Sequence, residues 1–180
     1  EIILCIQSYI IKTPHHTILV DTCVGNHKPR PARPSWDMQD GPFLAELAAV
    51  GVVPEEVDFV LCTHLHVDHV GWNTQLINGK WVPTFPNAKY IFSRNEFELW
   101  QERYSSGAAV PVPLVYEDSV LPIVEAGQAL IVEDSHQIDD GMWLEPAPGH
   151  TPGHVMLNLK SGDNTALMSG DVIHHPLQLI

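Results

Sequence analysis

Between Thr63 and Gly71 the chain reads Thr-His-Leu-His-Val-Asp-His-Val-Gly. His64, His66, Asp68 and His69 can all ligate a transition metal. His64, His66 and Asp68 alternate with apolar Leu65 and Val67, so an extended backbone turns all three the same way. His69 follows Asp68 directly and aims elsewhere unless the chain curls. The stretch therefore offers two ligand sets, His64 with His66 for one cation and Asp68 with His69 for a neighbour. Imidazole and carboxylate together suit zinc or another borderline first-row ion. The competing reading is a polar loop that happens to be rich in histidine, and clustering at alternate positions speaks against it.

The 11 histidines in 180 residues are the compositional oddity that agrees with this. One domain is the default at this length, and it is large enough for a sizeable core. Nine Lys+Arg stand against 22 Asp+Glu, a formal charge of −13. That balance argues against nucleic acid and anionic membrane surfaces as partners, because both need a basic patch. No apolar run approaches the length of a membrane span, and no signal peptide is visible, although Glu1 is not a natural start. A cytoplasmic location is the expectation. Cys5 and Cys62 lie in apolar runs and are expected as buried thiols. Cys23 sits in a loop after Asp21-Thr22, and nothing suggests a disulfide framework.

Along the chain, residues 2–12 and 17–21 read as a strand hairpin, with His15 and His16 as solvated turn residues. Residues 26–41 form a long Pro-rich loop in which Trp36 is expected to pack on the core. Residues 42–50 read as a helix with a stripe of Phe43, Leu44, Leu47 and Val50. A strand over 58–62 then delivers the histidine stretch at its C-terminal end, where α/β folds place their chemistry. A loop follows from Gly71, then a strand over 89–92. Ser93 and Glu96 have the spacing of a capping box for a helix to about Arg103. A helix over 115–126 and strands over 129–132, 142–146, 155–159 and 165–168 complete the pattern. Pro148-Gly149-His150-Thr151-Pro152-Gly153-His154 is a rigid loop suited to holding a ligand.

The segments Ile18-Leu19-Val20-Asp21-Thr22, His-x-His-x-Asp-His, Pro-Gly-His-Thr-Pro-Gly-His and Gly170-Asp171 occur in this order. Over nearly its whole length the chain thus resembles the metallo-β-lactamase-fold hydrolases. The resemblance implies an α/β fold, an αββα sandwich with the site at one edge between two facing sheets. It implies two divalent metal ions, with zinc first and manganese, cobalt or iron as alternatives. His64, His66 and His150 would hold one, Asp68 and His69 the other, and Asp171 would bridge them with a hydroxide between. Asp21 resembles the family's buried acid behind the site, which orients ligands. His154 has no ligand role in the pattern and is expected to hydrogen-bond within its loop.

Two metals sharing a water lower its pKa toward neutrality and polarise a carbonyl or phosphoryl oxygen. Asp68 is the candidate for moving the proton to the leaving group. His174, or alternatively His175, is the candidate for meeting a developing oxyanion, with capping of the strand end as the other reading. The acid at 171 and the segment 170–176 are similar to lactonase-like and methyl-parathion-hydrolase-like members, which makes β-lactam hydrolysis the less expected chemistry. The expected reaction is hydrolysis of a lactone or other ester, then of a phosphotriester. An iron-dependent oxidoreductase of the same fold and a catalytically impaired fragment are the rivals.

The family supplies one further His to the second metal from well beyond the Gly-Asp pair, whereas this sequence stops at Ile180. Residues 1–180 are therefore expected to be a single but partial domain, with late strands and a final helix missing. His174 or His175 could substitute for that ligand. A small molecule is the expected partner, with a homodimer left open. Trp36, Trp72, Trp81 and Phe85 are candidates for an apolar pocket wall, each also readable as a packing residue.

Overall fold

Strand β2 (Thr17–Val20) shows why two layers form here. Ile18 and Val20 point to one face and Leu19 to the other, and all three are buried. The same alternation runs through β3 (Phe59–Leu61) and β6 (Lys89–Ser93), where Leu61 and Ile91 face one way and Val60, Tyr90 and Phe92 the other. A sheet apolar on both faces must be covered on both. In this computed structural model, which describes residues 3–107 and 112–180, helices cover one face and a second sheet the other.

The first sheet has the order β1-β2-β3-β6-β7, with β1 at Tyr9–Lys12 and β7 at Ala129–Val132. Its β1–β2 pair is antiparallel and the rest are parallel. The second sheet is antiparallel, β11-β10-β9-β8, built from Gln137–Asp139, Met142–Pro146, Val155–Ser161 and Asn164–Met168 in order β8 to β11. Between the sheets, Ile18, Val20, Leu61, Ile91 and Val132 pack on Met142, Leu144, Val155 and Leu157. On the outer face of the first sheet, Leu19, Val60, Tyr90 and Phe92 receive Leu47 of α1 (Phe43–Ala49) and Phe97 and Trp100 of α2 (Arg94–Ser105). This is the helix–sheet–sheet order of the expected sandwich.

Several elements depart from the sequence reading. The first strand pairs only from Tyr9; residue 2 lies outside the described residues, and Ile3, Leu4, Cys5 and Ile6 are exposed. Among the described residues no strand pairs with the run around Cys5, and this thiol is exposed and not a core group. Val50 lies beyond the end of α1 and is 62% exposed, so the helix buries a shorter stripe than its pattern suggests. The segment after Gly71 contains a hairpin, β4 (Thr74–Ile77) and β5 (Lys80–Pro83). Its turn is Asn78-Gly79, both at positive φ, the dipeptide that a two-residue hairpin turn requires. Trp72, Trp81 and Phe85 are packing residues: Trp72 stacks on Phe43, Trp81 lies under the Lys28 ammonium, and Phe85 is fully buried in the core.

The helix expected over 115–126 is broken into α3 (Val112–Val115), a π-turn (Tyr116–Val120) and α4 (Leu121–Glu125). Pro122 supplies the reason, because it has no N–H to return to the carbonyl of Asp118. That carbonyl accepts instead from the buried ammonium of Lys28 at 2.9 Å and from the Thr74 hydroxyl. The Asp118 carboxylate then takes a bidentate contact from Arg30, at 2.7 and 2.9 Å. Lys28 and Arg30 thereby anchor the Pro-rich loop, whose ends are tied by Asn26 to Gly41.

Candidate functional site

The histidine stretch leaves β3 and curls at once. Asp21, held at φ 57° at the end of β2, accepts from the Thr63 backbone N–H at 2.8 Å and from the Thr63 hydroxyl. The His69 N–H reaches back to the His66 carbonyl at 3.0 Å, and the His69 carbonyl accepts from Thr22 N–H at 2.7 Å. This turn brings His69 round beside His64, their rings 4.0 Å apart. Curling is thus what converts the sequential awkwardness of Asp68-His69 into one convergent site. Asp21 then holds the His69 ring directly, with Nδ1 2.9 Å from Oδ2. That contact leaves Nε2 of His69 free to face inward.

The other candidate ligands arrive from the second sheet. The β9–β10 loop brings in His150, whose Nε2 lies 2.8 Å from Nδ1 of His66. The turn after β11 brings in Asp171 and His174. The Asp171 carboxylate divides its oxygens: Oδ1 lies 3.3 Å from Nε2 of His69, and Oδ2 lies 3.2 Å from Nε2 of His150 and 3.0 Å from Nε2 of His174. Three overlapping groups result: His64, His66 and His150; His64, His69 and Asp171; and His150, Asp171 and His174. Within each, all ligand atoms lie within 4.8 Å of one another. Asp68 is in none of these groups. Its carboxylate stands 3.8 Å from Nε2 of His69, part-exposed at the rim. His175 turns away and caps the final turn by accepting from Leu177 N–H.

His154 does more than the sequence suggested. It is 1% exposed, and its Nε2 accepts from the Asp171 backbone N–H at 3.1 Å, so it bonds across to the neighbouring turn. Gly170, at φ 51°, permits this approach, since a Cβ there would lie 2.5 Å from that nitrogen. A His at the end of a Pro-Gly-rich loop carried no signal of its partner 17 residues on.

The electrostatics fit a place for a cation. Burial, then the neighbouring His69 and His66, hold the His64 imidazole far below its ordinary range, so it presents a lone pair. Burial and His150 likewise lower His66. Burial would lower His69 too, but Asp21, Asp171 and Asp68 outweigh it and push it up to about 10. Burial raises the Asp171 carboxyl, and His69, His174 and His64 outweigh that and hold it well below the usual carboxylate range. Nε2 of His64, wholly buried, has no hydrogen-bond partner among the described residues. An orphaned imidazole nitrogen facing other imidazoles and a carboxylate is the arrangement a borderline divalent cation satisfies.

Two cavities meet at the cluster. One, about 660 Å³, is bordered by Asp68, His69, Asp171 and His174 together with Leu4, Ile6 and Tyr9. The other, about 470 Å³ and more apolar, runs from His66, His150 and Asp171 along Trp100, Val115 and the loop prolines. Trp36 borders both, with the Arg33 guanidinium 5.3 Å above its ring. It therefore covers the site and does not pack on the core. Trp100, which the sequence reading did not single out, forms a wall 5.9 Å from the His66 ring.

Residues 6–179 match the model of the metallo-beta-lactamase superfamily. The chain belongs to that superfamily. Among curated relatives, an N-acyl homoserine lactonase of Bacillus cereus is 26% identical over 168 residues, covering 85% of this chain and 57% of the relative. Among solved structures, a probable metal-dependent hydrolase from Staphylococcus aureus superposes with a TM-score of 0.73 at 20% identity, over 91% of this chain and 57% of that one. AidC, a dizinc quorum-quenching lactonase, gives 0.64 at 24% identity, over 88% and 53%. At these identities the two structures speak for the shared metallo-beta-lactamase fold alone. This superfamily member spans a little under three-fifths of the length of the relatives it matches.

Proposed function

We propose that this chain carries the ligand cluster of a metal-dependent hydrolase acting on a lactone or other ester, with a phosphotriester as the second substrate class. The observation that carries this is the convergence of His64, His66, His69, His150 and Asp171 on one point, where the two cavities meet, with Nε2 of His64 left unpartnered. His64, His66 and His150 would hold one divalent cation and His69 with Asp68 a second, with Asp171 contributing to both sites. Such a pair would supply a water deprotonated near neutral pH and a Lewis acid for the carbonyl. Zinc is the first choice for this donor set.

The protein's own groups do the rest. Asp21 fixes the His69 ring through its Nδ1–H, and His154 fixes Asp171 through the backbone. Asp68 would carry a proton to the leaving group, a role that its position on the border of both cavities supports. His174, at the rim of the larger cavity, meets charge that develops on the substrate oxygen. The apolar cavity beside Trp36 and Trp100 suits an acyl or aryl arm. The lactonase name of the curated relatives supports this choice of substrate.

A hydrolysis panel tests the reading. Zinc-, manganese- and cobalt-loaded chain is assayed with acyl-homoserine lactones, aryl esters, a phosphotriester, a glutathione thioester and a β-lactam. The expected result is metal-dependent opening of the lactone or aryl ester, abolished by a chelator and absent for the β-lactam. Failure on every substrate with every metal overturns it.

A further inference from the structure

Ser93 and Glu96 have capping-box spacing, yet neither side chain caps α2. Ser93 Oγ donates to the Gly153 carbonyl at 2.6 Å. Glu96, 1% exposed, spends its carboxylate on three donors. Its Oε1 accepts from the Leu65 backbone N–H at 3.1 Å and from the Trp100 indole N–H at 2.8 Å. Its Oε2 accepts from the Gly153 backbone N–H at 3.2 Å. Leu65 lies between His64 and His66, and Gly153 lies in the loop of His150. One buried carboxylate therefore ties together the backbones of the two loops that present this ligand group.

The surroundings are built for that tie. A Cβ at Gly153 would fall 2.0 Å from the Glu96 backbone nitrogen, so only glycine lets the loop reach the start of α2. All three partners of Glu96 are donors, which a carboxylate satisfies and an amide cannot. Gln offers one acceptor oxygen and turns an NH2 toward a donor. A buried N–H deprived of its acceptor is costly, so the loops would move to find another.

We propose that Glu96 is a positioning residue that sets the spacing of His64, His66 and His150 before any cation arrives. The consequence for affinity rests on the metal-binding reading above. Asp21 holds a ligand ring by direct contact, whereas Glu96 works only through backbone amides and through Trp100.

Two measurements on the metal-stripped chain and its Glu96→Gln variant test this. Hydrogen exchange reads the tie itself, and zinc titration against a competing chelator reads its consequence. Exchange should rise several-fold in segments 63–69 and 148–154, with the rest of the chain unchanged. Zinc affinity should fall by about 10–100-fold, the usual effect of losing a partner behind the ligands, and the visible spectrum of the cobalt form should shift. Ser93→Ala should loosen 148–154 alone.

Uniform acceleration of exchange along the chain, with unchanged zinc affinity of the folded fraction, would make Glu96 a structural residue and overturn the proposal. So would unchanged exchange in both segments. If Glu96→Gln does not fold, Glu96→Asp decides, since the shorter carboxylate should release one segment while keeping the other. A parent chain that binds no zinc would sink the metal-dependent function, and the exchange comparison would still decide the tie.

Discussion

Two clusters of charged and titratable groups border the same cavity, one buried around Asp118 and one part-exposed around Asp171, and they are built on opposite plans. Around Asp118 the protein supplies its own cations. The carboxylate receives both Arg30 nitrogens and the Ser119 hydroxyl, and Lys28 adds a longer contact at 3.4 Å. Around Asp171 it supplies imidazoles and carboxylate oxygens, and the ion-pair partners of Asp171 among the described residues are histidines alone. The first cluster pairs its charges within the chain and anchors a loop, although Arg30 Nε has no hydrogen-bond partner among the described residues. The second has the raised His69 as its positive group, and Nε2 of His64 is left without a hydrogen-bond partner among the described residues. Burial alone does not distinguish a structural cluster from a functional one; whether its charges are satisfied from within the chain does.

The sharpest way to break this contrast is to damage each cluster in turn. Asp118→Ala leaves two cations buried without their anion and should cost about 3–5 kcal/mol of stability, read by denaturant unfolding. If stability is unchanged, the cluster is not an anchor.

His64→Ala should do the reverse. This residue belongs to two of the three ligand groups. Zinc affinity should therefore fall by more than the roughly 10–100-fold typical of a partner behind the ligands. The metal-free chain should lose less stability than in Asp118→Ala, because the cost is a cavity and the Thr63 contact and no buried ion is left unpaired. Equal zinc binding by parent and variant would remove His64 from the site.

A smaller effect concerns pH. Burial drags the Lys28 ammonium down to about 7, with Asp118 opposing and Arg30 assisting. Above that value the folded chain has released this proton, while the unfolded chain keeps it up to the ordinary lysine range. The unfolded state then binds more protons, so this group makes stability rise with pH in that window, by at most about 1.4 kcal/mol per pH unit. Unfolding at pH 7, 8 and 9 under a chelator should show the rise in the parent chain and not in Lys28→Met. Identical slopes would mean that Lys28 keeps its proton in the fold.

What could be read in advance divides along the same line. The strand cores were legible because period-two alternation and the two faces of a sheet obey one geometry, as Ile18, Leu19 and Val20 show. The residues that converge at the cluster were legible by type and spacing, since few side chains can offer a lone pair to a metal. The hairpin at Asn78-Gly79 carried a turn signal that the reading passed over. The partners of Glu96 carried none, because Ser-x-x-Glu before an apolar run has the same letters whether it caps a helix or braces a loop.

The sequence by itself determined which residues could donate to a cation, of which the structure brings His64, His66, His69, His150 and Asp171 into overlapping groups and leaves Asp68 outside them, and it determined the alternation that makes two sheets. Only the tertiary structure decided that His69 curls in beside His64, that His174 joins and His175 turns away, that Trp36 borders both cavities, and that Glu96, His154 and Asp21 bond to the segments that carry these side chains. These depend on contacts between residues far apart in the chain. A side chain's chemistry is written in its own letter, but whether its hydrogen bonds are filled depends on what the fold brings against it.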